Sequence, residues 1–466
     1  MEERDVLVIG AGPAGYAAAI RAAQLGGKVT IVEKEALGGT CLNHGCIPTR
    51  VFARAAELLE TGSRGKDYGI AFRDQTIEFS KLIARKDIVV KTLVAGVRML
   101  LGENGVEAVE GRAAFNSPRE LSITAPDGVR KIILARNTVI APGARCRALS
   151  ISGGDMMLDT TAILQLKEIP RSMVILGAGC IGMSLASVFS RLGAAVTVLE
   201  ESNSMLNGID GEVVSQYQKE AKKNKIAYFP ECRIQAVEHD SNDGMRVLAS
   251  LKGEELTVNA QCVVNAEERE PNIEGLGLAD LGIRLNEKKG IAVDKAMRTN
   301  IAGVFAAGDV TMEHMWTHAA YMEGVVAAEN AMGKESHADY SAMPYWTCTL
   351  PSVAGVGLTE EKAVEMGYDV KSSRFSFAGN GMAVVLGQRT GMVKLITERK
   401  YGRVLGVHIV GAQAAELIAE AAMAVKSELA AEDIGAVLHP HPSLSEAFWE
   451  AARGIDGNAI HLLPDK

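Results

Sequence analysis

The chain has 466 residues, of which 47% are hydrophobic and 23% are charged, and its formal net charge is -8. This length predicts about three domains, and the negative charge disfavours a nucleic-acid partner. No apolar run reaches the roughly 18 to 20 residues that span a bilayer, so no membrane partner is expected. The seven cysteines are too few for a secreted disulfide scaffold and favour a reducing compartment, the cytoplasm.

The first predicted element is a strand over Asp5–Ile9, which runs into a G-x-G-x-x-G motif at Gly10, Gly12 and Gly15. A helix-like stretch and a β-branched strand follow, and that strand ends on Glu33. The first glycine allows a tight turn, the second lets backbone approach a pyrophosphate, and the third permits close packing of helix on strand. The phosphates would meet the positive end of the helix. The motif therefore predicts a dinucleotide site, with an acid for a ribose hydroxyl.

Two thiols, Cys41 and Cys46, follow this unit with four residues between them. Their spacing matches neither zinc-binding pairs nor the thioredoxin motif, so no metal site is predicted. In a regular helix these residues would lie too far apart to bond, because a disulfide needs α-carbons within about 7 Å. Gly45 is therefore expected to permit an irregular turn. Beside a dinucleotide motif, the pair favours an electron-transfer enzyme over a binding module, with two free buried cysteines as the alternative.

A second glycine motif lies at Gly177, Gly179 and Gly182. The motif and the predicted elements around it follow their counterparts in the first unit by the same number of residues. It too follows an apolar strand, opens a helix-like stretch and leads to a β-branched strand that ends on an acid, Glu200. Two such units predict two dinucleotides, with a pair of ligand-free turns as the alternative. Glu200 favours NAD over NADP, because a 2′-phosphate would meet its carboxylate.

The remaining segments predict a helix over Ser80–Leu101 and short strands between Val106 and Leu134. Gly303–Asp309 is predicted as a buried strand that ends on an acid. The tail from Met343 onward has no glycine motif. Its strand-like runs around a helix at Ala412–Leu429 predict a separate α+β domain.

Three segments are the most specific: Gly38–Pro48, Ala307–Asp309 and His439–Glu446. On these segments the chain resembles the FAD-dependent pyridine nucleotide–disulfide oxidoreductases over essentially its full length, most closely those of the lipoamide type. The resemblance implies an α/β fold with two Rossmann-like dinucleotide-binding domains, for FAD and NAD, plus a C-terminal α+β dimerisation domain. It divides the chain into an FAD domain (1–148 and 271–340), an NAD domain (149–270) and a dimerisation domain (341–466).

The resemblance also implies a function and its partners. The enzyme would be an FAD-dependent dithiol–disulfide oxidoreductase that oxidises a protein-bound dihydrolipoyl group, or a small dithiol, and passes electrons to NAD. It would be a homodimer, because the C-terminal histidine serves the disulfide of the other subunit.

The resemblance assigns two cofactor sites. Glu33 would bind the adenosine ribose, Asp309 the ribityl chain, and His318 would lie on a loop beside the flavin ring; Asp309 could instead cap the following helix. The implied FAD residues are Gly10, Gly12, Gly15, Glu33, Lys34, Thr40, Arg50, Ala113, Gly143, Asp309 and His318. The implied NAD residues are Gly177, Gly179, Gly182, Glu200 and Glu268.

The catalytic residues follow from the same resemblance. Cys41 and Cys46 would form the redox disulfide, with Cys46 facing the flavin and Cys41 exchanging with the incoming dithiol. Oxidation of a dithiol releases protons, so a base is required; His441 is the candidate, with Glu446 as the carboxylate that orients its ring. His439 competes for this role, and the family motif favours His441.

Three positions depart from the family pattern. The family usually has lysine at Arg50 and glutamate at Ser184, and these two pair beside the flavin where the nicotinamide stacks. Here we expect an unneutralised guanidinium, which would favour the reduced, anionic ring. Glu268 stands where the family has glycine close to NAD, and its charge should repel a pyrophosphate. An alternative is therefore a related flavoprotein that turns over NAD weakly or not at all, or serves as a non-turnover subunit.

Overall fold

The computed structural model describes residues 2–240 and 244–463. The first region, up to Cys146, holds a sheet built from an apolar core strand and its neighbours. The strands of this region are β1 (Glu2–Ile9), β2 (Val29–Glu33), β3 (Glu107–Glu110), β4 (Arg112–Ser117), β5 (Glu120–Thr124), β6 (Arg130–Ile140) and β7 (Ala144–Cys146), and β7 lies outside this sheet. Its helices are α1 (Pro13–Gln24), α2 (Gly39–Asn43), α3 (Cys46–Ser63) and α4 (Phe79–Glu103). The strand predicted at Asp5 thus begins at Glu2, and the predicted helix over 80–101 is α4.

Strands β3, β2, β1 and β6 lie side by side in that order, and all pair in parallel. The first half of β6 also pairs with β5 in antiparallel fashion, and β5 pairs with β4 in the same way. Since the carboxyl ends of parallel strands meet at one edge, Ile9 and Ile140 end side by side in the register. The loops that follow β1, β2 and β6 therefore share one edge of the sheet, where ligands of such folds bind.

The second region contains a smaller parallel sheet and an antiparallel one. Its strands are β8 (Ser172–Leu176), β9 (Ala195–Leu199), β10 (Ala227–Phe229), β11 (Cys232–Asp240), β12 (Gly244–Leu251), β13 (Glu254–Ala260), β14 (Cys262–Asn265) and β15 (Arg269–Pro271), with helices α5 (Cys180–Arg191) and α6 (Gly211–Lys223). The parallel order is β10-β9-β8-β14, and β11, β12 and β13 form the antiparallel sheet. Strand β15 pairs with β7 and so leads the chain back to the first region.

The chain then returns to the first sheet through β16 (Val304–Ala306), which pairs in parallel with β6. This strand is shorter than the predicted segment. Helix α7 (Thr317–Ala331) follows and packs on α1 through small side chains. A β-carbon at Gly324 would lie 2.2 Å from the carbonyl oxygen of Ala14, so only glycine permits this approach. The close packing fixes where α7 begins relative to the first glycine motif.

The C-terminal region is an antiparallel sheet covered by helices. Its elements are β17 (Tyr345–Thr347), β18 (Ser352–Gly357), α8 (Glu360–Glu365), β19 (Val370–Ser376), α9 (Gly381–Val385), β20 (Met392–Glu398), β21 (Val404–Gly411), α10 (Ala414–Lys426), α11 (Ala431–Ala436) and α12 (Glu446–Gly454). The strand order is β17-β18-β21-β20-β19. The predicted helix at 412–429 is α10, and the α+β character of this region is confirmed.

The expected fold class, with two Rossmann-like units and a C-terminal α+β region, is confirmed, while the domain boundaries stay a prediction. Phe52 of α3 packs edge-on against Phe189 of α5, with ring centroids 6.1 Å apart, which joins the first two regions through one apolar cluster. Within the described ranges, no helix is long and apolar enough to cross a membrane.

Candidate active site

The two thiols lie on either side of a helix break. Cys41 is in the short helix α2, Cys46 is the first residue of α3, and His44 and Gly45 separate the two helices. The His44 N–H closes α2 by donating to the Thr40 carbonyl at 2.8 Å. A β-carbon at Gly45 would lie 3.2 Å from that same oxygen. The irregular turn expected at Gly45 is therefore present, and each thiol shifts the pKa of the other across it.

Both cysteines are free thiols in this structure, and their environments differ. A hydrogen bond from Cys41, followed by bonds from Thr317 and from the backbone at the start of α3, lowers the pKa of Cys46 to about 6. The hydrogen bond to Cys46, with burial, raises the pKa of Cys41. The pair therefore favours a single negative charge, and the donors at the start of α3 favour that charge on the Cys46 sulfur. In the single chain Cys41 is buried and Cys46 is exposed, so exposure does not itself favour Cys41 as the exchanging thiol, and that assignment stays a prediction.

His441 and Glu446 form the predicted pair. The His441 Nδ1 atom lies 2.8 Å from Oε1 of Glu446, and the other carboxylate oxygen accepts the Ser443 N–H at 2.8 Å. Although burial opposes it, the bonds from Ser443 and His441 keep the pKa of Glu446 below its usual range. With Nδ1–H donating to the carboxylate, Nε2 is left to accept a proton. The His441 side chain is 77% exposed, and within the described part of the chain no hydrogen bond joins it to Cys41 or Cys46.

His439, the competing histidine, is engaged elsewhere. Its side chain is only 5% exposed, and Nε2 lies 2.9 Å from Oε1 of Glu420. The Glu420 carboxylate raises the pKa of His439. The geometry thus agrees with the choice of His441.

The two glycine loops have closely similar backbone geometry. Gly10 and Gly177 have φ values of +93° and +95°, and a β-carbon at Gly15 or Gly182 would lie 1.8 or 1.9 Å from the carbonyl oxygen of the first glycine. The acid at the tip of the second strand also contacts the loop. Glu33 accepts the Ala11 N–H at 2.7 Å. In the second unit the acid and the loop are joined in the same way, by a bond of 2.6 Å.

These loops fit the dinucleotides that the motifs predict. Helices α1 and α5 begin after Gly12 and Gly179, and neither has a side-chain cap. Their first N–H groups are therefore left to bind phosphate oxygens. Glu33 and Glu200 are held by backbone donors at the adjacent strand tips, where a ribose would lie. Both sets of residues are compatible with a bound FAD and a bound NAD.

Asp309 is paired with an arginine that sequence reasoning missed. Its Oδ2 atom lies 2.5 Å from Nη1 of Arg269, and Nη2 of Arg269 donates to the Ala144 carbonyl at 2.6 Å. Asp309 does not cap the next helix, since α7 begins only at Thr317. It stands just beyond β16, at the edge shared by the first glycine loop.

The other predicted FAD residues lie around the same region. Gly143, with φ +73°, follows β6, and Ala113 is buried on β4 in the cluster beneath β1 and β2. Thr40 is in α2, and Lys34 follows β2, with Nζ 3.4 Å from Glu35.

His318 corrects one expectation. It lies in the first turn of α7 rather than on a loop, and its Nε2 atom lies 2.7 Å from the Pro344 carbonyl. The small apolar residues that follow His318 pack against α1, and this packing favours a helix that begins before them.

The expected unneutralised guanidinium at Arg50 is also wrong. Nη1 of Arg50 lies 2.9 Å from Oε1 of Glu57, which is on the same face of the same helix. Ser184 instead donates to the Cys180 carbonyl at 2.6 Å and accepts the Cys348 N–H at 3.1 Å. The carboxylate partner of Arg50 thus comes from α3 and not from the position of Ser184.

Glu268 is likewise not isolated, because its Oε2 atom lies 2.7 Å from Nη1 of Arg147. The neighbouring Glu267 was not singled out from the sequence. Burial, with repulsion from Glu200, Glu201 and Glu268, raises the pKa of Glu267 to about 7. Glu267 is therefore the acid beside the second glycine loop whose pKa is raised.

Two further groups beside the thiols were missed. The Thr317 hydroxyl lies 3.4 Å from the Cys46 sulfur. Tyr16 and Tyr321 join α1 to α7 through a 2.6 Å contact between their hydroxyls. No sequence spacing could have found these contacts, because each joins distant segments.

Residues 4–324 match the family model described as pyridine nucleotide-disulphide oxidoreductase, and residues 343–452 match the dimerisation domain of that family. A dihydrolipoyl dehydrogenase of Geobacillus stearothermophilus is 37% identical over 99% of this chain and 98% of its own length. A mitochondrial dihydrolipoyl dehydrogenase of Arabidopsis thaliana is 36% identical over 99% of this chain and 92% of its own.

Two solved structures have the same fold over nearly the whole chain. LpdA of Mycobacterium tuberculosis is 25% identical with a TM-score of 0.90, covering 98% of this chain and 100% of that one. The Cu(II) complex of the HOCl-induced flavoprotein disulfide reductase RclA of Escherichia coli is 26% identical with a TM-score of 0.88, covering 97% and 99%. The chain therefore belongs to the pyridine nucleotide-disulphide oxidoreductase family and is an FAD-dependent disulfide oxidoreductase that uses a pyridine nucleotide.

Proposed function

We propose that this enzyme oxidises a protein-bound dihydrolipoyl group, or a small dithiol, through a Cys41–Cys46 disulfide and FAD to NAD. The observation that carries the proposal is the thiol pair at the helix break, with Cys41 in α2, Cys46 at the start of α3 and the Thr317 hydroxyl 3.4 Å from the Cys46 sulfur. Relatives that share more than a third of the sequence over its full length are named dihydrolipoyl dehydrogenases, which supports this substrate.

The thiol chemistry balances in two exchange steps. A thiolate of the substrate attacks the Cys41 sulfur, the bond between Cys41 and Cys46 breaks, and its electron pair goes to Cys46. The second substrate thiol loses its proton to a base and attacks the substrate sulfur of the mixed disulfide. The bond between that sulfur and Cys41 breaks, and its electron pair goes to Cys41. The substrate leaves as a cyclic disulfide, and both enzyme cysteines are reduced. When bound, FAD accepts the two electrons of the reduced pair and passes them to a nicotinamide.

His441 is the proposed base for the second substrate thiol. Glu446 fixes its tautomer through Nδ1 and stabilises the charge that appears when Nε2 takes the proton. Because its ring is exposed and makes no bond to the thiols of its own chain, we propose that His441 of the partner subunit serves each disulfide. The homodimer that this requires is supported by the match of residues 343–452 to a dimerisation domain.

The cofactor residues follow from the two glycine loops. FAD would be held by the first loop and by Glu33 and Asp309, and NAD by the second loop and Glu200. The domain boundaries 148/149, 270/271 and 340/341 and a cytoplasmic location complete the proposal, the location resting on the low cysteine content.

A second candidate function is a flavoprotein that turns over NAD weakly and uses another electron partner. Glu267 favours it, because a buried acid beside Glu200 disfavours an anionic ligand once it is ionised. The Arg147–Glu268 pair opposes it, since it offsets the charge of Glu268. Glu57 offsets part of the charge of Arg50, because it also lies 3.1 Å from Arg54.

Stopped-flow reduction of the flavin by dihydrolipoamide, NADH and NADPH in parallel tests the proposal. We expect rapid reduction by dihydrolipoamide and by NADH, and slow reduction by NADPH. Cys41→Ser is the matched variant, and it should lose reduction by dihydrolipoamide while keeping reduction by NADH. Rapid reduction by dihydrolipoamide with none by NADH would favour the second function, and no reduction by dihydrolipoamide would contradict the first.

A further inference from the structure

One hydroxyl contacts the thiolate of the reactive pair. The Oγ1 atom of Thr317 lies 3.4 Å from the sulfur of Cys46, a normal distance for a hydrogen bond to sulfur. Cys46 is the first residue of α3, and Thr317 is the first residue of α7. Two helix N-termini, separated by most of the chain, thus meet at one sulfur atom.

The Thr317 hydroxyl lies within hydrogen-bonding distance of this sulfur, and a bond from the same hydroxyl also lowers the pKa of Cys41. A thiolate carries no proton, so the hydroxyl must donate when Cys46 is ionised. Hydrogen bonds to charged groups are stronger than those to neutral groups. The contact therefore stabilises the sulfur in its anionic form more than in its neutral or disulfide-bonded form.

The position of the hydroxyl is well fixed. Helix α7 lies against α1 through the close approach of Gly324 to Ala14. Glu323, in the second turn of α7, accepts the Gly308 N–H at 2.6 Å, which ties the start of the helix to the turn after β16. Thr317 is thus held at its distance from Cys46 by contacts that do not involve the thiols.

The other groups around Cys46 do not replace this bond. The backbone N–H at the start of α3 also donates to the Cys46 sulfur. Cys41 donates only while it keeps its own proton, and Asp309, Tyr321 and Cys348 act on the pair through charge. Asp309 raises the pKa of Cys46, whereas the Thr317 bond lowers it. When the disulfide first opens, Cys41 is bonded to the substrate and has no proton to donate, so Thr317 is the side chain that meets the new charge.

We propose that Thr317 is a positioning residue that makes Cys46 the leaving group of the disulfide and so directs the incoming thiolate to Cys41. The inference rests on the proposed function, and it explains which of the two cysteines the substrate attacks. In the step concerned, the substrate sulfur bonds to Cys41, the Cys41–Cys46 bond breaks, and its electron pair goes to Cys46. The thiol of lower pKa leaves faster, so a bond that stabilises the Cys46 thiolate selects attack at Cys41.

Two variants separate the hydroxyl from the shape of the side chain. Thr317→Val keeps the β-branched form and removes the donor, and Thr317→Ser keeps the donor. The first measurement is the pH dependence of iodoacetamide alkylation at Cys46 in the full-length flavoprotein reduced with dithiothreitol, followed by peptide mass spectrometry. The midpoint should rise by about one pH unit in Thr317→Val and stay near the wild-type value in Thr317→Ser. Unchanged bound-flavin absorbance and circular dichroism serve as the folding control.

The second measurement is the site of attack. Oxidised protein is opened with excess glutathione, the freed thiol is alkylated, and the two peptides are mapped. Wild type and Thr317→Ser should carry glutathione on Cys41, and Thr317→Val should show a marked increase in glutathione on Cys46. If Thr317→Val changes neither the alkylation midpoint nor the site of attack, Thr317 has no such role. That result would leave the proposed function standing, whereas a wild-type protein that forms no Cys41–Cys46 disulfide would overturn the proposed function itself.

Discussion

Arg50 and Glu57 lie about two turns apart on α3, with Nη1 of the arginine 2.9 Å from Oε1 of the glutamate. The guanidinium also lies beside Trp346, with Cζ 5.7 Å from the ring centroid. The family has its carboxylate at the position of Ser184. Here a carboxylate seven positions after Arg50 on the same helix contacts the guanidinium instead. Because Glu57 also lies 3.1 Å from Nη1 of Arg54, it offsets the charge of Arg50 only in part.

Glu57→Gln should leave Arg50 without its carboxylate and so favour the reduced, anionic form of the bound flavin. We expect a higher flavin reduction potential, measured by equilibrium titration with a reference dye. Glu60→Gln is the matched control, because Glu60 lies on the same helix and pairs with Arg64 and Arg191 rather than Arg50. An equal change in both variants would mean that Arg50 does not act on the flavin.

Glu267 predicts a pH-dependent affinity for NADH. Its pKa of about 7 means that it is neutral at lower pH and negative at higher pH. An anionic nucleotide should therefore bind more weakly as the pH rises through about 7, measured by calorimetric titration from about pH 6 to about pH 8. Glu267→Gln should remove most of this dependence.

Glu268→Gln is the control for this titration, since Glu268 is exposed and paired with Arg147. It should tighten NADH binding and keep a pH dependence, shifted to lower pH because the Glu268 charge contributes to the raised pKa of Glu267. A wild-type affinity that does not change over this range would contradict the role of Glu267.

His441→Gln should slow reduction of the enzyme by dihydrolipoamide by about 10² to 10⁴-fold, the usual contribution of a general base. Reduction by NADH should be unaffected, because no thiol proton is transferred from substrate in that direction. Stopped-flow measurement of the two half-reactions gives both rates. His439→Gln is the control, since His439 is buried against Glu420, and it should leave the dihydrolipoamide rate within a few-fold of wild type. Equal losses in the two variants would refute the assignment.

Lys394 predicts a large effect on stability. It is 1% exposed and lies 2.8 Å from Asp210, which is fully buried at the start of α6, and 2.9 Å from Glu360. Lys394→Met should lower the free energy of unfolding by about 3 to 5 kcal/mol, because a buried carboxylate loses its partner. Urea unfolding at fixed protein concentration measures the change.

Lys371→Met is the comparison for that experiment, since Lys371 pairs with Asp456 at the surface. It should cost about 0 to 1 kcal/mol. A similar small loss in Lys394→Met would show that the ion cluster between the second region and the C-terminal sheet contributes little.

The glycine loops could be predicted from the sequence because local sterics dictate them. A side chain at Gly15 would collide with the carbonyl of Gly10, and the same holds in the second unit, so the spacing itself specifies the turn. The helix break at the thiols is predictable for a similar reason, since the geometry of a disulfide excludes a regular helix.

The partners of these groups could not be predicted in the same way. Thr317 and Cys46 are 271 positions apart, and Arg269 and Asp309 are 40 apart. Only the packing of α7 on α1 and the return of the chain through β15 bring them together. The Arg50–Glu57 pair is local but was missed, because the expected partner position was taken from the resemblance and not from the helix that carries Arg50.

The most direct test of the central claim is to map the cysteines by alkylation and mass spectrometry, in the air-oxidised protein and after addition of dihydrolipoamide. We predict that Cys41 and Cys46 are joined to each other and protected from the reagent before addition, and that both become labelled afterwards. Labelling of both residues in the oxidised protein, or a Cys41–Cys46 bridge that dihydrolipoamide leaves intact, would contradict the account.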